Sequence, residues 1–248
     1  MKAWILSFFA AGAVFGQLSF TSTADGESVS VMGGTHWIYA EPAITGAPFS
    51  AERVSENILT LKDGTRITGP QNRETIYRDS MGRRRLERSI TNKTPMAGEF
   101  LMIEVRDPVA GKYYLIDDWN KVVHRIAIET RPVEIRTAEG EKIRKQWSGE
   151  KLGTQTIEGV ETQGTKSTHT IPQGDLGNDR AMKTTSEVWR SPELREVLLQ
   201  KSFDPRYGEL TSRLINVSRT EPDAALFEPP SGYKMVDEKD GFTITLKH

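Results

Sequence analysis

The sequence predicts an all-β, mainly antiparallel fold: a curved meander sheet or half-barrel of about ten strands with one short helix packed against it. Three observations predict it. Apolar and polar residues alternate with a period of two, as in Val122, His124, Ile126 and Ile128 against Val123, Arg125, Ala127 and Glu129. Asp-Gly-type turns separate such runs: KDG at 62–64, DSMG at 79–82, DPVAG at 107–111 and DWNK at 118–121. Only one stretch, SPELREVLLQK from Ser191 to Lys201, carries helix signals.

The chain opens with MKAWILSFFAAGAVFGQ. One positive charge at Lys2, an apolar run from Ala3 to Phe15 and small residues after it have the form of a secretory signal peptide over 1–16. The run is shorter than the roughly 20 residues that a membrane span needs. The expected product is therefore exported, to the periplasm or outside the cell. The chain has no cysteine, so neither disulfides nor thiolate metal sites enter the argument. The formal net charge is -1, which gives nucleic acid binding no compositional support.

Residues 17–48 are rich in Gly, Ser, Thr and Ala and read as a poorly ordered lead-in, with one short strand near THWIYA. A single antiparallel β domain over 49–248 follows. RVSENILTL, TRITGPQNRETIYR, RRRLERSI, EFLMIEVR, KYYLID and VVHRIAIET are its first strands, each closed by one of the turns above. Residues 131–149, highly charged and without period, read as a long loop. GTQTIEGVETQGTKSTHTIP supplies two more strands and TTSEVWR another. In the expected helix Ser191 suits the N-cap, Pro192 the first turn, and Leu194, Val197 and Leu198 one apolar face. ELTSRLINVSRT is a strand, EPDAALFEPPSGY a proline-rich crossing segment anchored by Leu226 and Phe227, and YKMV with FTITL a final hairpin.

The C-terminal half shows GTQTIEGVETQGTKST, SEVWRSPELREVLL and DPRYGELTSRLINVSRTEPDAALFEPPSGYK in order. This resembles a group of uncharacterised exported bacterial proteins that end in EPD-x-x-LF-x-P-x-x-Y. In plan it resembles the periplasmic lipoprotein-carrier and sigma-regulator superfamily, an antiparallel half-barrel. The resemblance runs from about Arg53 to Lys234. It implies binding of an acyl chain, a lipid or a lipoprotein, or a sensory partnership with a membrane-bound regulator. It implies no particular contact residue.

The residues themselves offer no catalytic constellation. His36, His124, His169 and His248 are not spaced as ligand pairs, and His124 reads as a packed strand histidine. Asp117 and Asp118 are adjacent on a strand and face opposite ways, so they do not make a dyad; Asp118 and Asn120 read as hairpin caps. No phosphate loop or nucleophile elbow occurs. The expectation is a non-enzymatic envelope protein with no cofactor and no metal site.

Two surfaces are candidates for binding. Trp189 and the Leu194, Val197, Leu198 face either plug the sheet as core or line the mouth of an apolar pocket, with Tyr113 and Leu115 on the opposite wall. The second is the arginine stretch YRDSMGRRRLERS, where Arg83, Arg84, Arg85 and Arg88 crowd a hairpin. From Lys62 to Lys93 nine cations face four carboxylates, while from Glu221 onward six carboxylates face three lysines. Such a band is either solvated sheet surface or a contact for an anionic lipid or an acidic envelope protein. Along the return strand Arg83, Arg85 and Glu87 should share one face, and Arg84, Leu86, Arg88 and Ile90 the other. The lipid or lipidated-protein reading, with its regulator-partner form, stands beside a structural or protein-interaction module that uses the basic face.

Overall fold

A computed structural model describes residues 19–22, 28–33, 43–91, 99–128, 147–239 and 242–247. The expected signal peptide, the strand near THWIYA and most of the charged loop lie outside these residues. The last three positions of that loop belong to a strand. Two strands, β1 (Ser19–Ser22) and β2 (Ser28–Gly33), lie within the expected lead-in.

The remaining strands are β3 (Phe49–Thr60), β4 (Arg66–Thr68), β5 (Asn72–Arg78), β6 (Arg84–Thr91), β7 (Glu99–Asp107), β8 (Lys112–Asp117) and β9 (Val122–Ala127). They continue as β10 (Trp147–Ile157), β11 (Val160–Ile171), β12 (Met182–Arg190), β13 (Val197–Asp204), β14 (Gly208–Ser218), β15 (Lys234–Asp237) and β16 (Phe242–Lys247). Thirteen form one sheet in the order β10-β11-β12-β13-β14-β3-β5-β6-β7-β8-β9-β15, with β4 on β3; β1, β2 and β16 form a second. The fold is all-β and mainly antiparallel, as expected. Chain contacts divide it into two compact units: Met1–Gly46, Tyr77–Arg131 and Glu221–His248 make the first, Ala47–Ile76 and Pro132–Thr220 the second.

The expected helix is not formed. Ser191 to Glu196 make a turn and Val197 onward is β13, paired with β12 on one side and β14 on the other. The cap signal was real but serves the turn: Ser191 Oγ accepts from the Leu194 N–H at 3.1 Å, and the Ser191 N–H donates to the Glu196 carbonyl at 2.9 Å. Arg195 adopts φ 52°, a left-handed conformation that ends any helix there. An isolated helix of three turns is marginal in water, whereas a strand flanked on both sides satisfies its backbone fully. The only helical element among the described residues is a 3-10 turn at Ala224–Phe227, capped by Asp223.

The expected final hairpin is also absent. β15 pairs in parallel with β9, and β16 pairs antiparallel with β2. The DSMG, DPVAG and DWNK turns form as expected, each tied by an aspartate. Asp107 Oδ1 accepts from the N–H groups of Val109 and Ala110, both at 2.9 Å. In the next turn it is Asp117, not Asp118, that accepts from the Asn120 N–H, at 3.0 Å.

Candidate binding surfaces

In the first unit β6 to β9 bury both faces. Register places Glu104, Leu115 and His124 in one cross-strand row, and Ile103, Ile116 and Val123 in the next. One face holds Met102, Tyr113, Leu115 and Ile126 under Ile244 of β16. The other holds Ile103, Val105, Ile116 and Val123 under Phe227, with Leu226 and Tyr233 packed alongside. Leu226 is half-buried and Phe227 fully buried, so the anchors expected in the crossing segment are in place.

Tyr113 and Leu115, the expected far wall of a pocket, are thus packed residues of the first unit. Tyr113 donates its hydroxyl to Glu104 Oε2 at 2.6 Å, and Arg88 Nη2 lies 2.7 Å from Glu104 Oε1. Burial, and then the charge of Glu104, push the Tyr113 phenol well above its ordinary pKa. It remains a neutral donor. Trp189, Leu194, Val197 and Leu198 fall in the second unit. Val197 is half-buried and the other three are buried. Trp189 lies across Gly164, its partner on β11, and a Cβ there would stand 2.6 Å from the ring. Glycine is required by that close approach. The indole N–H donates to Glu187 Oε1 at 2.7 Å.

Accessible area includes the wall of any void that admits water, so a residue lining an open acyl chamber retains exposed area. Leu115 keeps 1 %, Leu194 2 % and Leu198 0 %. These side chains meet packed atoms on every side.

The arginine stretch divides between faces as its alternation predicts. Arg83 Nε is 2.6 Å from Asp79 Oδ2, and Arg83 Nη1 is 3.0 Å from Glu228 Oε1. Its guanidinium lies 4.9 Å above the Phe227 ring. Arg85 Nε is 2.6 Å from Glu87 Oε1, and Arg85 Nη1 donates to the Leu226 carbonyl at 2.8 Å. Arg88 takes the opposite face, toward Glu104, and Arg84 is half-buried beside Arg106 of β7. The hairpin holds the crossing segment against the sheet, and Glu221 adds to this by accepting from the Ser80 N–H at 2.9 Å. Sequence separation hid these ties, although the opposite charges of the two segments signalled them.

A surface missed in the sequence lies on the second unit. Two cross-strand rows run over five strands on one face. The first is Thr165, Val188, Gln200, Ser212 and Ser55; the second is Ser167, Ser186, Ser202, Leu210 and Asn57. Eight of these ten positions are polar; Thr165, Leu210 and Asn57 are exposed and the others half-buried. The ties are sparse: Ser55 Oγ donates to Ser212 Oγ at 3.0 Å, Ser167 Oγ to the Ser186 carbonyl at 3.4 Å, and Gln200 Nε2 to Ser202 Oγ at 3.4 Å. Threonine and serine were legible as strand residues, but only register reveals that they align.

No protein-family model matches the chain, and no curated protein matches it. Solved structures do match. An uncharacterized conserved protein from Thermus thermophilus is 12 % identical over 77 % of this chain and 91 % of that one, with a TM-score of 0.42. The MucA/MucB complex of Pseudomonas aeruginosa gives 10 % identity and a TM-score of 0.44 over 78 % of this chain; only 59 % of that chain is spanned. A LolA superfamily protein from Nitrosomonas europaea is 8 % identical over 73 % of this chain and 90 % of that one, with a TM-score of 0.28. The carrier resemblance read from the sequence has its counterpart by name in the last of these.

Proposed function

We propose that this chain is an exported, non-enzymatic envelope protein that binds a protein partner, the regulator-partner form of the expectation, along the two hydroxyl rows of its second unit. The observation that supports this reading is the chemistry of the rows. An acyl chain laid on them would strip water from eight polar side chains, five of which keep one internal hydrogen bond, at about 1–3 kcal/mol for each group left unpaired. A polypeptide brings its own N–H and C=O groups and side-chain amides, and so replaces the water it displaces. Packing of Leu115, Leu194 and Leu198 supports the same reading, since these three of the expected pocket residues are engaged in the cores. Arg83, Arg85 and Arg88 have carboxylates within 2.7 Å, which matches their charge internally and leaves the basic face a weaker candidate.

A photo-crosslinking amino acid placed at Ser186 or Gln200, in protein expressed and exported in its native host, tests the proposal. The expected product is a discrete adduct of polypeptide mass at both positions and not at Glu161. Adducts of lipid mass, or lipid retained stoichiometrically in native mass spectrometry of the purified protein, would restore the carrier reading and overturn this one.

A further inference from the structure

One end of the second unit carries a set of exposed apolar residues. Register aligns the end of β11 with the start of β12, the end of β13 with the start of β14, and the end of β3 with its turn into β4. All three turns therefore lie at the same end of the sheet. Each holds an apolar side chain outward: Leu61 is 42 % exposed, Leu176 57 % and Tyr207 64 %. Ile67, Phe203 and Leu210, directly behind them, are 50 %, 41 % and 41 % exposed. Scattered exposed leucines need no explanation, but six large apolar residues at one end do.

The turns do not need these residues for their own geometry. Around Leu176 the loop is tied by Asn178, whose Nδ2 donates to the Pro172 and Arg180 carbonyls, both at 2.7 Å. Around Tyr207 it is tied by Asp204, which pairs with Arg206 at 2.6 Å and accepts the Tyr207 N–H on its carbonyl at 3.0 Å. Around Leu61 the Leu61 N–H donates to the Thr65 carbonyl at 2.8 Å, and Asp63 accepts from the Thr65 N–H at 2.9 Å. Polar side chains build all three turns, and the apolar ones are held out in fixed positions.

We propose that these three tips dock this end of the protein on a lipid bilayer by shallow insertion of Leu61, Leu176 and Tyr207. Three features favour a bilayer over a protein partner. The tips lie in a row about 20 Å long at the usual strand spacing, an extended apolar edge that suits a deformable interfacial layer. Among the described residues of the three turns and their flanks the charges balance, with Lys62, Arg66, Arg180, Lys183 and Arg206 against Asp63, Asp175, Asp179, Asp204 and Glu209. Both signs at the apolar rim match a zwitterionic headgroup layer, which presents both signs itself. The Arg206 guanidinium lies 4.9 Å above the Tyr207 ring, so the tyrosine presents an apolar body with a cation at headgroup level. This goes beyond the proposed partner binding and does not rest on it.

The chain has no cysteine, so a single introduced one takes a single environment-sensitive fluorophore. Labels at 61, 176 and 207, one per protein, are mixed with neutral phosphatidylcholine–phosphatidylethanolamine vesicles; a label at exposed Glu161, near the other end of β11, is the control. Emission is expected to rise severalfold and move to the blue at the three tips and not at 161, and to persist at high salt. The triple variant Leu61→Glu, Leu176→Glu, Tyr207→Glu is expected to keep its melting temperature and lose about tenfold or more in vesicle affinity. No response at the tips overturns the proposal. So does an equal response at 161, or a response only to anionic vesicles that salt abolishes.

Discussion

The two units are built from the same antiparallel ladders but use their faces differently. In the first, consecutive residues of β8 both enter cores: Leu115 packs with Met102 and Ile126, and Ile116 with Val105 and Val123. In the second, one face of β11 to β14 and β3 carries serines, threonines and amides across five strands. Burial of apolar side chains on both faces gives the first unit stability of the ordinary kind, about 1.5–3 kcal/mol per fully buried aliphatic side chain. The hydroxyl rows of the second contribute little of that, and are held by backbone pairing. A face that contributes little to stability is free to be shaped by recognition, and this contrast is why the partner surface is proposed on the second unit.

The contrast is broken most directly by paired substitutions. Leu115→Ala and Ile116→Ala, neighbours on opposite faces, should each cost about 2–5 kcal/mol in urea unfolding. Ser186→Ala and Ser202→Ala, neighbours in one hydroxyl row, should each stay within about 0.5 kcal/mol. If either β8 variant is tolerated, or the serines prove as costly, the two units are not different in kind. A smaller effect is expected at Gly164, where a methyl must push the Trp189 ring aside at a cost of about 1–3 kcal/mol. In a Trp189→Leu background the same substitution should lose most of its cost. A cost unchanged in the double variant would show that backbone conformation, and not the ring, demands glycine.

These differences also mark where the sequence was readable. Runs of strand-forming residues closed by local turns made the strands from β5 to β9 readable. The aspartate turns were readable for the same local reason, down to which elements they join. Ser191 to Lys201 misled because Leu194, Val197 and Leu198 satisfy a helix stripe, while β13 requires only that Leu198 be buried on one face. The pairing of β16 with β2 joins the two ends of the chain, and no local pattern encodes a partner so remote. The hydroxyl rows depend on the register of five strands at once. Alternation places Arg83 and Arg85 on the face they occupy, yet their hold on the crossing segment depends on Glu228 and the Leu226 carbonyl, both distant in sequence.

The crossing segment itself gives the next prediction. It covers one face of the first unit and is fixed by side chains, not by a ladder, along most of its length. Arg83→Ala removes the pairs to Asp79 and Glu228 and the contact with Phe227, and leaves the buried Asp79 short of a charged partner. Loss of about 1–3 kcal/mol is expected, with hydrogen exchange rising first at 221–233. Rise across β11 to β14 instead would show that the arginine supports the second unit, and would undo the division drawn here.

The smallest effect is a pH dependence at the far end of the same segment. Asp118 accepts hydrogen bonds from the Tyr233 hydroxyl and from Lys121 Nζ, and these hold its carboxyl below the usual aspartate value, the tyrosine first. A depressed carboxylate contributes stability that is present above its unfolded pKa, near 4, and is lost as pH falls through the lower folded value. The side chain is 46 % exposed, so solvent screening limits the contribution to about 0.2–1 kcal/mol. Asp118→Asn should therefore destabilise slightly at pH 7, by a margin that shrinks as pH falls below about 4. Unfolding curves of the two proteins that remain parallel through that range would mean that Tyr233 is held by its packing against the core and not by the carboxylate.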